Sequence, residues 1–357
     1  MKMMPFFFFL WTILSPGEPV SARSPLLTPE DLNRPVSWPA PQTVPVTRQD
    51  AHRVAFRGYR DEDAVRSTLP QLYGLSRGAP LDLRPYFEVK VANTYADLDE
   101  DAAAFQLLEK FFERKGNRPY QGGIDGFPET FEGLRRRAGL LLARVLARNG
   151  IKEASEAVLG GLTPVTGYEA LLIAEIYMLL GDGDAVKHHL VQASGKSDGH
   201  PDSRWGHAFI PMRGIQIARA AGRDSLAAAW GAGFIRKGRD AEIRPQWRAS
   251  WDIAARTLDP GGPVPKILID GTYEGSCPGF DGDIRVRLEI EGGRISALRV
   301  TAQAESRPYG ALTVIPRRIL KHQSLAVDAV TGATVTSSAV IAAAEDALIR
   351  AGGGKRP

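Results

Sequence analysis

The stretch Asp328-Ala329-Val330-Thr331-Gly332-Ala333-Thr334-Val335-Thr336-Ser337 places hydroxyls, small residues and one carboxylate in ten consecutive positions. The alanine-rich segment that follows, residues 339–350, is predicted to be a helix, because alanine is the best helix former and Gly352 provides a stop. Thr334, Thr336 and Ser337 then lie at its N-terminal edge, where hydroxyls cap free backbone N–H groups. The partial positive charge of such a helix end favours a bound phosphate.

Two alternating runs precede this stretch, at residues 284–290 and 294–300. Each has a period-2 pattern with one apolar face, which predicts a strand. The Gly292-Gly293 pair between them favours a hairpin. With Asp-Gly-Thr-Tyr-Glu-Gly upstream at residues 270–275 and a predicted helix at residues 314–322, the order is a strand pair, a short helix, a threonine-rich turn and a closing helix.

This part of the chain, roughly residues 266–353, resembles the FMN-binding domains of subunits of sodium-pumping quinone reductase and of Rnf-type complexes. The resemblance is carried by the motif Asp-x-x-Thr-Gly-Ala-Thr, which runs here from Asp328 to Thr334, and by the elements upstream. In that family the last threonine of the motif carries FMN through a phosphoester bond, installed by a flavin transferase that uses FAD. The resemblance therefore implies covalent FMN on Thr334.

The other positions of the motif suit the same chemistry. Gly332 and Ala333 have almost no side chain, so a modifying enzyme and a flavin pyrophosphate can approach the backbone closely. Thr331 stands where the family often has serine, and it keeps the hydroxyl. For Asp328 two roles are open: it orients or activates the Thr334 hydroxyl, or it helps to hold the metal of the transferase.

Other interpretations of the motif remain open. A Thr-Gly-Ala-Thr tetrapeptide by itself is typical of a simple turn that leads into a helix. Thr336 and Ser337 are alternative acceptors of the flavin, although both also suit the capping role. The cofactor-binding positions that the resemblance indicates are Thr334, Asp328, Thr331, Gly332 and Ala333.

The first 22 residues have the pattern of a secretory signal peptide. Lys2 precedes a short apolar run, and Val20-Ser21-Ala22 supplies a small-residue cleavage site. The run is short for a bilayer span, so we expect cleavage, with retention as an uncleaved anchor as the alternative. The mature protein is expected in the periplasm or on the outer face of the inner membrane.

The middle of the chain predicts a helical domain. Residues 23–95 are interpreted as a Pro-rich leader and a poorly defined segment, in which residues 81–89 could hold a short strand or loop. Residues 96–258 predict a helical-hairpin array, which resembles tetratricopeptide repeats between residues 140 and 193, although no signature recurs at a fixed period. The linker is placed at residues 259–265, so the predicted fold class is α+β, an all-α domain before a small α+β domain at residues 266–353. The predicted helices cover residues 102–114, 131–148, 152–159, 167–180, 184–193, 205–220, 224–236 and 244–258.

Composition bounds the remaining functions. The net charge of +4 over 357 residues is small, and the arginine clusters at residues 135–137 and 317–318 are interpreted as solvated helix faces, so no nucleic-acid partner is expected. The single cysteine, Cys277, excludes an internal disulfide and is interpreted as a small, partly buried side chain. Because the adjacent His188 and His189 would point in different directions on a helix, no metal site is expected.

The sequence thus predicts an exported flavoprotein that carries covalent FMN. It is expected to relay electrons to or from a membrane or periplasmic redox protein, with a flavin transferase as its other partner, and to be an electron carrier rather than a stand-alone enzyme. One alternative is a helical protein-binding scaffold with an appended domain that is not flavinylated. Another is a flavin-dependent reductase with its own small substrate.

Overall fold

The structure is a computed structural model, and it describes residues 28–41, 61–114, 119–120, 130–195, 203–240, 245–258 and 267–353. The predicted signal peptide and the predicted linker lie outside these residues. Within them a helical region precedes a small antiparallel sheet, and further helices follow the sheet. The predicted α+β fold class is confirmed.

Most consecutive helices of the N-terminal region pack against each other. Several of the predicted helices agree with the structure to within a few residues, and those at residues 131–148 and 167–180 have the same bounds. The helices are α1 (Pro29–Leu32), α2 (Glu62–Gly78), α3 (Arg84–Asp97), α4 (Asp101–Glu113), α5 (Phe131–Arg148), α6 (Lys152–Gly160), α7 (Gly167–Leu180), α8 (Gly183–Gly195), α9 (Ser203–Ala220), α10 (Asp224–Asp240) and α11 (Pro245–Leu258).

The range 23–95, which the sequence left without defined elements, contains α1, α2 and most of α3. The predicted short strand or loop at residues 81–89 is wrong, because α3 covers most of it. Pro85 lies in the first turn of α3, where a missing N–H costs nothing. α3 is buried on nearly all sides, so its sequence has no amphipathic period to recognise.

The described part of the Pro-rich leader packs on the first helices. Gln106 Nε2 donates hydrogen bonds to the backbone oxygens of Leu32 and Arg34, at 3.0 and 2.7 Å. The ring of Trp38 stacks on Tyr73 with 5.4 Å between the ring centroids. Residues 28–41 therefore belong to the packed structure instead of forming a detached leader.

The C-terminal part is an antiparallel sheet of the strands β1 (Gly271–Pro278), β2 (Asp283–Glu291) and β3 (Arg294–Ala302), in that order. The predicted hairpin is confirmed: β2 pairs with β3, and the amides of Gly292 and Gly293 each donate to the Asp270 carboxylate at 3.0 Å. Two helices complete this part, α12 (Ala311–His322) against β3 and α13 (Thr334–Ala351) against β1 and β2.

One hydrophobic core joins the two parts of the chain. It contains Ile284, Val286 and Leu288 of β2, buried apolar residues of α13, and buried residues of α5 to α11. α13 contacts α9 and α11 as well as the sheet. α13 is therefore held between the sheet and the helical region.

Cys277 lies inside this shared core. Its side chain is fully buried, which is more than the partial burial that we expected, and burial raises the pKa of its thiol to about 12. The thiolate is the reactive form of cysteine. Cys277 is therefore a packing residue of β1.

The described residues contain neither a candidate membrane span nor a candidate metal site. None of their helices is long and apolar enough to cross a membrane. No group of three or more His, Cys, Asp and Glu side chains in the same ranges could hold a metal ion. The adjacent rings of His188 and His189 meet edge to face, with 5.0 Å between centroids.

We expect Glu109 of α4 to make stability depend on pH. Burial, and after it the charge of Glu113, raises the pKa of Glu109 from 4.5 to about 7. The folded state therefore binds this proton more tightly, so the stability that Glu109 contributes is fully present below pH 4.5 and is lost as the pH rises through about 7. Glu109→Gln should flatten this decline and unfold at a higher urea concentration than the wild type at pH 8.

Urea midpoints at pH 5 and pH 8 measure the effect. The exposed Glu274 of β1 provides the matched control, Glu274→Gln, which should leave the pH dependence unchanged. Equal declines from pH 5 to pH 8 in the wild type and in Glu109→Gln would contradict the prediction.

Candidate functional site

The turn between α12 and α13 contains the motif found in the sequence. Thr331, Gly332 and Ala333 form the end of this turn, and Thr334 is the first residue of α13. Gly332 has a φ of +83°, in the left-handed region, and a Cβ atom there would lie 3.3 Å from the Tyr309 ring. Both the backbone conformation and the nearby ring therefore favour glycine at this position.

The Thr334 hydroxyl is available at the end of α13. The N-cap residue is Ala333, and no side chain caps the first turn. Thr334 is partly exposed, and in the described part of the chain its hydroxyl makes no hydrogen bond. This end of α13 thus combines a free hydroxyl with backbone N–H groups that no side chain has neutralised.

The prediction that Thr336 and Ser337 cap this helix is wrong. The Thr336 hydroxyl donates to the Glu305 carboxylate, and the Ser337 hydroxyl accepts the Val330 N–H at 3.1 Å. Thr336 is 3% exposed and Ser337 is fully buried. Both hydroxyls hold neighbouring segments against α13, whereas the hydroxyl of Thr334 has no such role.

Asp328 is the buried anchor of the turn. It is 1% exposed, and its Oδ2 atom lies 3.3 Å from both Arg148 Nη1 and Arg318 Nη1 and 3.7 Å from Arg144 Nε. Burial alone would raise the pKa of Asp328, but the guanidinium groups of Arg318, Arg148 and Arg144 outweigh burial and hold the pKa well below its usual range. Its contacts thus involve neither the Thr334 hydroxyl nor the protein surface.

A larger ion-pair network surrounds Asp328. We call it the arginine cluster; Arg148 pairs there with Asp101 and Asp99, and Arg318 Nε donates to Asp99 at 2.7 Å. The interpretation of residues 317–318 as a solvated face is therefore wrong for Arg318, which is 1% exposed. The cluster consists of Arg144, Arg148, Arg318, Asp97, Asp99, Asp101 and Asp328.

The helical region also holds the backbone of the turn. Asp97 of α3 accepts hydrogen bonds from the amide and the hydroxyl of Thr331, at 3.3 and 3.1 Å. Glu175 of α7 accepts the Ala329 N–H at 3.3 Å. The conformation of the motif therefore depends on side chains from α3 and α7.

A small cavity lies beside Thr334. Its volume of about 20 Å³ is enough for a water-sized group, but not for the three-ring system of a flavin. Most of its walls come from the helical region, and Tyr168 and Phe209 face each other there with 5.6 Å between ring centroids. The lining residues are Arg144, Tyr168, Leu171, Leu172, Glu175, Phe209, Arg213, Ala329, Val330, Thr331 and Thr334.

The sequence did not reveal the contribution of the helical region to this site. Arg144 and Glu175 each lie within an otherwise apolar run of α5 or α7, and Arg148 directly follows the apolar run of α5. Because a buried charge needs a partner of opposite charge, such positions signal an ion pair across a helix interface. A charged residue at such a position indicates that a partner of opposite charge exists, but it does not identify that partner.

The comparisons with known proteins agree with the geometry. The sequence model of the FMN-binding domain family matches residues 279–349, from the end of β1 to near the end of α13. Residues 279–349 belong to the FMN-binding domain family. This confirms the predicted resemblance, and an FMN-binding domain indicates a flavoprotein.

An uncharacterized protein of Treponema pallidum (strain Nichols) is 38% identical to this chain over 86 residues. The match covers 24% of this chain and 24% of that protein, so it concerns about a quarter of each. No solved structure matches this chain.

The residues at the turn of the FMN-binding domain fit the phosphate of FMN. The Nε atom of Arg144 is buried without a hydrogen-bond partner, and it belongs to a side chain that lines the cavity beside Thr334. Together with the uncapped end of α13, it offers donors to an anion. These residues would hold the phosphate, while the flavin ring would lie outside the cavity.

Proposed function

We propose that this protein is an exported flavoprotein that carries FMN on Thr334 and relays electrons to or from a membrane or periplasmic redox protein. The observation that carries the proposal is the Thr334 hydroxyl, which is partly exposed and free of hydrogen bonds at the uncapped end of α13. It lies within the residues that match the FMN-binding domain family.

The attachment exchanges one phosphorus–oxygen bond for another. The Thr334 oxygen bonds to the flavin-side phosphorus of FAD, the bond from that phosphorus to AMP breaks, and AMP leaves with the electron pair. The hydroxyl proton passes to a base. Asp328 is unsuited to that role, because its carboxylate is buried among guanidinium groups and has a lowered pKa, so the base belongs to the transferase.

The small cavity favours an electron carrier over an enzyme with its own substrate. Bound FMN supplies one- or two-electron redox chemistry, while the protein places and tunes it. A cavity of about 20 Å³ would admit a group of the size of a phosphate oxygen but not the ring system of a flavin. A ring with an open edge can exchange electrons with another protein.

The expected export of the chain agrees with a covalent cofactor. A secretory signal at residues 1–22 would carry the protein to a compartment where free FMN is scarce. A phosphoester bond prevents the cofactor from diffusing away there. The redox partner is therefore expected at the membrane or in the periplasm.

The test is to produce the full-length protein with a flavin transferase in an exporting host. Flavin fluorescence in denaturing gels and the intact mass then report attachment. Thr334→Val keeps the shape of the side chain but removes the nucleophile, so it should abolish attachment completely. Thr334→Ser keeps a hydroxyl and should retain flavin.

Thr301→Val provides the control, because it removes an exposed threonine hydroxyl from β3 of the same domain. It should be flavinylated like the wild type. If the Thr334→Val protein still carries flavin, another residue is the attachment site. If the wild-type protein stays unmodified in the presence of an active transferase, the proposed function is wrong. The protein-binding scaffold would then be the remaining alternative.

A further inference from the structure

We propose that Arg144, on α5 of the helical region, binds the phosphate that joins FMN to Thr334. This inference rests on the proposed function and deepens it, because it assigns the helical region a part in the flavin site. Arg144 lies outside the residues that match the FMN-binding domain family.

The first observation is the unpaired donor of Arg144. The residue is 7% exposed, and its Nε atom is buried without a hydrogen-bond partner. Nη2 donates to Asp97 Oδ1 at 3.2 Å, whereas Nε lies 3.7 Å from Asp328 Oδ2, too far for a hydrogen bond. Buried donors are normally paired, so this guanidinium is placed for a further acceptor.

The second observation is the position of that donor. Arg144 and Thr334 line the same cavity, so a group bonded to the Thr334 oxygen that extends into it would approach the Arg144 side chain. The uncapped end of α13 contributes its backbone N–H groups from the other side. An anion seated there would therefore be bound by a charged side chain and by a helix end.

Arg144 differs from two neighbouring arginines, Arg213 and Arg148. Arg213 lines the same cavity, but it is already bonded to Glu175, Gln216 and the Val327 carbonyl oxygen. Arg148 pairs with Asp101, Asp99 and Asp328 and does not line the cavity. Of the three, only Arg144 combines a place in the cavity wall with a free donor.

The phosphodiester of the proposed flavin bond suits this donor. It has one negative charge and two free oxygens, and the planar fork of a guanidinium binds such a group more specifically than an ammonium does. The cavity admits a group of about the size of one phosphate oxygen. Arg144 would thus fix the direction in which the flavin leaves Thr334.

The test uses the full-length protein, flavinylated in the exporting host, and phosphorus NMR of the phosphodiester. The variants are Arg144→Gln, which removes the charge, and Arg144→Lys, which keeps the charge but not the fork. Arg136→Gln is the matched control, because it removes the same charge from α5 at a residue that pairs with Glu169 and does not line the cavity. Circular dichroism and a urea midpoint report the folding of each variant.

In Arg144→Gln we expect the phosphorus resonance to move more than half of the way from its wild-type position to that of the flavin peptide released by proteolysis. Arg144→Lys should move it less, and Arg136→Gln should not move it. A folded Arg144→Gln protein that takes up much less flavin than Arg136→Gln would also support the proposal. A merely structural arginine would lower the urea midpoint and leave the resonance in place.

An unchanged resonance in folded Arg144→Gln would overturn the proposal while the proposed function stands. If Arg144→Gln does not fold, Arg144→Lys decides, and an unchanged resonance in that folded variant overturns it equally. A wild-type protein without any phosphodiester resonance would instead contradict the proposed function.

Discussion

Replacement of Asp328 by alanine is expected to lower the free energy of unfolding by about 3–5 kcal/mol, the range found when one member of a buried ion pair is removed. Asp328 lies within 4 Å of Arg144, Arg148 and Arg318, and all three are buried. Asp97, Asp99 and Asp101 remain paired with Arg144, Arg318 and Arg148, respectively. The variant therefore leaves three buried guanidinium groups without the carboxylate that they share.

Urea unfolding followed by circular dichroism measures this loss. Glu274→Ala is the control, because Glu274 and Arg287 form an exposed ion pair at 3.2 Å, and such pairs contribute about 0–1 kcal/mol. The lowered pKa of Asp328 gives the sign of the pH dependence. Asp328 stabilises the folded state above the usual pKa of an aspartate, and this stabilisation is lost as the pH falls below that value. The difference between Asp328→Ala and the wild type should thus stay constant near neutral pH and shrink in strong acid. Equal losses in Asp328→Ala and Glu274→Ala would refute the prediction.

Replacement of Gly275 by alanine is expected to destabilise the protein by about 3 kcal/mol, the upper part of the range for overpacked cores. A Cβ atom on Gly275 of β1 would lie 2.0 Å from the carbonyl oxygen of Ala343 and 2.6 Å from the amide nitrogen of Ala347. Both are backbone atoms of α13, so no side-chain rotation can relieve the clash. The helix that carries Thr334 would have to move away from the sheet.

Gly78→Ala is the matched control for this prediction. Gly78 is the last residue of α2, and a Cβ atom there meets nothing within 4 Å. The same chemical change should stabilise the protein there, by up to about 1 kcal/mol, because alanine loses less backbone entropy in a helix. Thermal unfolding of both variants shows whether each substitution raises or lowers the stability of the protein. A Gly275→Ala protein as stable as Gly78→Ala would show that α13 and β1 pack less closely than the structure indicates.

Local sequence signals predicted the elements that have clear ends and one apolar face. α5 and α7 begin after Thr130 and Thr166, whose hydroxyls accept the N–H groups of Gly133 and Glu169. β2 alternates between buried and exposed residues along its length. α3 could not be found in the same way, because a helix buried on nearly all sides has no periodic pattern.

The chemistry of the site was partly predictable for a similar reason. The sequence located the turn and Thr334, because glycine, small residues and hydroxyls stand next to each other there. It could not show that Arg318 is buried, nor that Asp97 and Glu175 hold the turn, because those contacts join distant parts of the chain. Such contacts are decided by tertiary packing, which no short window of residues encodes.

The contacts of the motif turn join residues that are far apart in the chain. The hydrogen bond from Thr331 to Asp97 spans 234 positions, and that from Arg148 to Asp328 spans 180. Contacts with such large sequence separation form late and slow the folding of a chain. During synthesis α3 and α5 emerge long before residues 328–334. The turn can therefore take its final shape only after these helices have been synthesised. A modifying enzyme that recognises this shape would consequently act on finished molecules and pass over incomplete ones.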